Sequence, residues 1–212
     1  GEISMDGRLV IRADEAAEDL GTLTRLPLAA DGSLPVRTAA RDAARLGACC
    51  EGAFDLATLA ALLDAPAARV AEDLWQAVQA GLLAPVGDGY KYVSDNQSEG
   101  GAAARYRFAH DRVHEAAYAL IPEGERSPVH LRIGRLMLGG AEDPPDDRLF
   151  EAVRHLNIGH EHIDAEAERT RLARLNLRAG HKAKESAAFQ AALDYFQAGL
   201  RVLPPDPWTS QY

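Results

Sequence analysis

The residues best suited to chemistry in this chain are two histidines four positions apart, His110 and His114, in the run YRFAHDRVHEAAY. Two imidazoles at i and i+4 on a helix can reach one metal ion, with a carboxylate between them as general base. The carboxylate here is Asp111, shorter than glutamate and better explained as the cap of the following helix. No third ligand recurs at helical spacing downstream, so a zinc hydrolase lacks part of its ligand set. His155, His160 and His162 meet the same test. At helical pitch His155 and His162 share a face but lie roughly 10 Å apart, too far for one metal, and His160 points elsewhere. All three are expected as solvated or capping groups, and no metal site is expected.

Other catalytic signatures are absent from the sequence. The dipeptide Gly-Lys does not occur, so there is no phosphate-binding loop, and neither G-x-G-x-x-G nor G-x-S-x-G is present. The glycines are expected at turns and helix ends. Without a catalytic constellation the chain is not expected to be an enzyme by itself. It carries no cofactor of its own in this reading.

The composition sets the remaining bounds. The 212 residues are 47% hydrophobic and 26% charged, ordinary values for a globular chain able to bury a core. Alanine and leucine dominate while aromatics make up 6%, which favours helix. No apolar run approaches the ~18 residues of a membrane span, and the charged start does not resemble a signal peptide. A cytoplasmic location, with no membrane partner, is the expectation. A net charge of −9 disfavours nucleic acid, whose phosphates need clustered cations. Cys49 and Cys50 are adjacent inside an expected helix and read as small core residues. The chain starts without Met and ends on WTSQY after a proline-rich turn, and it reads as a piece of a longer protein.

Residues 1–35 are weakly patterned, with Gly7 to Arg12 as a candidate edge strand. Helical spacing runs from Val36 to Cys50. Phe54 and Asp55 then form a staple and cap for a helix ending near Leu63, where Asp64-Ala-Pro66 breaks it. A third helix, Ala67 to Ala80, is expected to bury Val70, Ala71, Leu74, Trp75 and Val78 and to stop at Gly81. Strand-like Leu82–Val86 and Tyr90–Val93, a polar loop (SDNQSEGGAA) and the strand Arg105–Ala109 follow. Tyr106 and Phe108 share one face of that strand. Three helices and then strands is the order of a winged helix (36–121), with the polar loop as the wing. The only charges on the third helix are Arg69, Glu72 and Asp73, which would repel phosphates and argue for protein packing over DNA reading.

Beyond Pro122 the chain reads as helix after helix. Residues 122–164 are a helical linker bundle, with Arg132–Leu138 and Leu149–Leu156 on helices. Residues 165–212 fit the roughly 34-residue tetratricopeptide spacing, with helices over Ala165–Gly180 and Ala183–Leu203. Counted from Ala173 as first position, Gly180 falls eighth, Phe189 seventeenth, Ala192 twentieth, Phe196 twenty-fourth, Gly199 twenty-seventh and Pro204 thirty-second. Small residues would let the helices approach and the aromatics would fill the gap. Ala183 stands where the pattern has tyrosine. Arg171, Arg174, Arg178 and Lys182 form a basic stripe, either a solvated face or a surface for an acidic partner.

Several strings resemble, in order and spacing, a region of large bacterial signalling proteins. They are ACCEGAFDLATLAALL, LWQAVQAGLL, YRFAHDRVHEAAYALIP, HLRIGRLML, LFEAVRHLN and LNLRAGHKAKESAAFQAALDYFQAGL. Those proteins join a serine/threonine kinase, a STAND-type (AAA-related) ATPase, helical repeats, a GAF domain and a sensor histidine kinase. The resemblance covers about three-quarters of the chain and leaves residues 1–35 poorly matched. It implies a mainly α regulatory fragment that couples the nucleotide state of an upstream ATPase domain to downstream domains of the same chain. It also implies that His110 senses the phosphates of ADP or ATP held by that ATPase domain, and that the helical repeats bind protein partners. The alternative is a winged-helix transcription regulator with a helical effector domain.

Overall fold

A computed structural model describes residues 2–3, 9–10, 38–50, 52–92, 104–140 and 144–203. The chain is mainly helical and divides into two compact units, Gly1–Pro122 and Glu123–Tyr212. No helix among the described residues is long and apolar enough to cross a membrane.

In the first unit a two-residue antiparallel ladder joins β1 (Glu2–Ile3) to β2 (Leu9–Val10), of which only β2 falls within the expected edge strand Gly7–Arg12. The main body runs α1 (Thr38–Gly47), β3 (Ala53–Asp55), α2 (Leu56–Leu63), α3 (Ala67–Gln79), β4 (Leu83–Val86), β5 (Arg105–Phe108) and α4 (Asp111–Ala119). The sheet is antiparallel with order β3-β5-β4, so β5 is central. Tyr106 lies opposite Phe54 and Pro85, and Phe108 opposite Leu83. Alternation along β5 buries Tyr106 and Phe108 and exposes Arg105 and Arg107. The Phe54 ring meets Tyr106 at 6.2 Å and Phe108 at 5.7 Å. Leu56, Leu59, Val70, Leu74, Val113 and Ile121 are also buried in this unit. Cys49 and Cys50 are buried and are not joined by a disulfide.

Local signals account for the element ends. Asp55 caps α2, accepting from the Thr58 amide at 2.7 Å and from its hydroxyl at 2.8 Å. Helix α3 ends in a Schellman motif. Gly81 sits at φ 73°, its amide donates to Val78, and the Leu82 amide donates to Ala77. Asp55→Ala is expected to lower the stability of this unit by about 1–2 kcal/mol, read from the urea midpoint. A shift within error would show that the cap contributes nothing.

The Asp55 cap stands as expected, and Ala53–Asp55 is in addition a strand, because β5 supplies a partner far along the chain. Two expectations fail here. The buried stripe of α3 is Val70, Asp73, Leu74 and Ala77, while Trp75 is 43% exposed and stacks on Tyr90 at 6.2 Å. Asp73 tolerates its position beside Arg69, 3.5 Å away. Gly89–Tyr92, within which Tyr90 was expected to start a strand, is a 3₁₀ turn. Val93 and the expected wing loop at 94–103 lie outside the described residues.

The described residues of the second unit form four α-helices, α5 (Glu123–Leu138), α6 (Asp146–Ile158), α7 (Glu166–Glu185) and α8 (Phe189–Val202), with a 3₁₀ turn at His160–His162 after α6. They share one core that includes Leu131, Leu149, Val153, Leu156, Leu172, Leu175 and Val202. The glycines here are not all punctuation. Helix α7 runs through Gly180 and turns only after Glu185, with Ala187 at φ 58°. A Cβ on Gly180 would stand 2.3 Å from the Phe196 ring, and one on Gly134 would stand 2.7 Å from Leu156. These glycines are helical because close approach of two helices outweighs their poor propensity. Phe196 fills the gap between α7 and α8, but Phe189 does not, being 67% exposed.

Candidate functional site

The junction of β5 and α4 places His110. Past the end of the central strand β5 the Ala109 amide donates to the Leu82 carbonyl, next to the start of β4. His110 is then the N-cap of α4 in an extended conformation (φ −144°, ψ 145°), with its carbonyl accepting from the Val113 and His114 amides. Its side chain makes no capping bond and is exposed. Asp111, expected as the cap, is instead the first helical residue, where its charge suits the positive end of the helix dipole.

His114 takes a different environment. It is half-buried and meets Phe108 edge-on at 5.1 Å, and its Nε2 is buried with no hydrogen-bond partner among the described residues. One imidazole therefore faces solvent while the other turns onto the aromatic cluster. No third His, Cys, Asp or Glu gathers with these two at ligating distance among the described residues. The arrangement is suited to contact with an anion at the exposed ring and is poorly suited to a shared metal.

The basic stripe is divided by the fold. Arg178 and Lys182 both hold the Asp146 carboxylate at the start of α6, and Arg178 also donates to the Pro144 carbonyl at 2.8 Å. Hydrogen bonds from Lys182 and then Arg178 hold the Asp146 carboxyl below the usual range. Arg171 is half-buried and Arg174 exposed. Two of the four cations thus join α6 to α7.

A buried histidine pair was not legible in the sequence. His130 on α5 and His155 on α6 are both buried, with Nδ1 atoms 2.8 Å apart and rings stacked at 4.9 Å. His155 was expected as solvated or capping, but α5 covers it. Arg154 Nη2 lies 3.5 Å from His155 Nε2 and makes that nitrogen the acceptor. His155 Nδ1–H therefore donates to His130 Nδ1. Burial, then the charges of Arg154 and His130, push the His155 imidazole down to about 3. Beside it, Asn157 and Asn176 exchange two 2.8 Å amide bonds between α6 and α7. His160 caps, its Nδ1 bonding the Asn157 carbonyl at 2.8 Å, and His162 is exposed.

Comparison with known proteins gives one informative likeness. The chain is 33% identical over 115 residues to hybrid signal transduction histidine kinase G of Dictyostelium discoideum, covering 47% of this chain and 3% of that protein. It therefore spans a very small part of that relative's length. No protein-family model matches the chain. No solved structure matches it.

Proposed function

We propose that this chain is a non-catalytic coupling segment of a larger signalling protein, with its first unit acting as a winged helix that reports nucleotide state. The observation that carries the reading is His110: exposed, free of any capping bond, and set at the positive end of α4. An imidazole there favours a phosphate, although Asp111 offsets part of the dipole. The element order of the first unit and the sheet order β3-β5-β4 support the winged-helix assignment. The likeness to part of a histidine kinase supports a place in signal transduction. The nucleotide, ADP or ATP, would be held by an upstream STAND-type ATPase domain. The α7–α8 hairpin, with Phe196 seated on Gly180, supports the start of a tetratricopeptide-like array that binds protein partners.

The alternative, a transcription regulator, draws on exposed Arg105 and Arg107. It is disfavoured by α3, whose three charges sum to −1 (Arg69 against Glu72 and Asp73) and whose Asp73 pairs with Arg69. The test uses a longer chain that includes the residues preceding this one, comparing retained ADP and its release in native protein and His110→Ala. Release at least tenfold faster from a folded variant is expected. Equal release from both returns His110 to a purely local role. No retained nucleotide in either chain removes the ATPase coupling altogether.

A further inference from the structure

The boundary between the two units falls at Pro122 and Glu123, where α5 begins. Ile121 before it is buried, and burial resumes at His130, but from Pro122 to Val129 every side chain is exposed or half-buried. The first turn of α5 is therefore held by little apolar surface. It is also short of a backbone bond. Pro128 lies inside the helix and has no N–H, so the bond that position would donate to the Gly124 carbonyl is absent, and its ring crowds that carbonyl. Gly124 weakens the turn further. It is exposed, a Cβ there would meet nothing within 4 Å, and glycine loses more conformational freedom in a helix than any other residue.

The turn is tied to the rest of its unit through Ser127, whose Oγ donates to the Ile158 carbonyl at 2.7 Å. Ile158 is the last residue of α6, and a last-turn carbonyl has no partner within its own helix. The bond is exposed, so water competes for both groups and its net worth is small. Beyond Pro128 the helix is anchored differently. His130, Leu131, Ile133 and Leu138 are buried, and Arg135 is bound to Glu168 on α7 at 2.7 and 2.8 Å. The proline thus divides α5 into a weakly held turn and an anchored remainder.

We infer that the first turn of α5, residues 123–127, is a joint that opens by itself while the rest of the helix stays packed. Pro128 is its boundary and the Ser127–Ile158 bond its latch. Unwinding five residues from about 1.5 Å to about 3.4 Å of rise each adds roughly 9 Å of slack to the connection between the units. Opening of this kind is local unfolding, and its cost is set by the few contacts the turn makes. The use of the joint in coupling rests on the proposed function, but its existence does not. Failure of the joint leaves the nucleotide test of His110 untouched, and the reverse holds too.

Residue-resolved hydrogen exchange of the native 212-residue chain across a low-urea series reads the joint without any variant. In the helical pattern the amides of Val129, His130 and Leu131 donate to the carbonyls of Glu125, Arg126 and Ser127. They are expected to exchange at least about tenfold faster than those of Ile133–Leu138 and independently of urea, the mark of local opening. Brief trypsin digestion gives a second reading. Within α5 the first cut is expected after Arg126, ahead of Arg132 and Arg135, because cleavage follows the population of the open form. Pro128→Ala should slow the exchange and that cut at least about tenfold by restoring the bond to Gly124. Ser127→Ala should speed both about fivefold, the worth of one hydrogen bond. Exchange of Val129–Leu131 that follows urea together with the rest of α5 would overturn the proposal, since the helix would then open as one body. Unchanged rates in Pro128→Ala would overturn it as well, because the proline would not mark the boundary.

Discussion

Gly159→Ala is expected to destabilise the α5–α8 unit by about 3 kcal/mol, the upper end of the overpacking range. The residue follows α6 at φ −91°, a conformation open to alanine, so backbone strain is not the cause. The cause is proximity. A Cβ on Gly159 would stand 2.5 Å from Leu131 Cβ and 2.8 Å from both Leu131 Cα and its amide nitrogen. A side chain can change rotamer, but the backbone of α5 cannot retreat without opening the core that Leu131 shares with Val153 and Leu156. Thermal melting is the measurement, with about 4–8 °C lost for each kcal/mol in a unit of this size. Gly124→Ala is the control. It lies in the same helix as Leu131 with nothing within 4 Å of a new Cβ, and should gain about 0.5–1 kcal/mol from helix propensity. A Gly159→Ala protein as stable as the native one would mean that α5 and α6 are less closely packed than the structure has them.

Acidification should weaken the same unit through His155. In the unfolded chain its imidazole titrates near the ordinary 6.5, and in the folded unit it is pushed down to about 3. Between these values the unfolded chain binds a proton that the folded one refuses, so stability falls as pH falls. The contribution is fully present above about pH 6.5. It should lose about 2 kcal/mol by pH 5 and about 1.4 kcal/mol for each further unit down to about 3. With Nδ1 already carrying a hydrogen, a proton added to His155 would enter at Nε2, against the Arg154 guanidinium 3.5 Å away. Glu151, whose carboxylate comes within 4.8 Å of a His155 ring nitrogen, does not reverse the direction. Urea midpoints of native protein and His155→Gln between pH 7.5 and 5 measure the effect. The native slope should be the steeper one. Parallel slopes would show that His155 titrates normally and that the pair is open to water.

These two effects matter for the proposed coupling role because both act in the second unit, whereas the residue proposed to sense nucleotide belongs to the first. A variant there that altered nucleotide release in the longer chain would report communication between the units. His110→Ala tests the contact itself. Melting curves separate the two, since His110 is exposed and its loss should leave the fold intact.

The sequence by itself determined the features that depend on residues two to five positions apart. Asp55 caps α2 through Thr58, Gly81 closes α3 through bonds to Val78 and Ala77, and alternation along β5 buries Tyr106 and Phe108. Each is a local arrangement of backbone groups, so residue type and spacing were sufficient. The site residue His110 was placed at its strand–helix junction by the same local logic. Tertiary structure alone decided the rest. Trp75 lies outside the buried stripe of α3 because the core meets a slightly different face, and Tyr90 is there to cover the indole. Gly180 stays helical because Phe196 needs its missing side chain, not because the chain turns. His130 and His155 are 25 residues apart, and no periodicity within either helix marks one as the partner of the other. Burial of a polar group is set by what packs over it, and that comes from a different part of the chain.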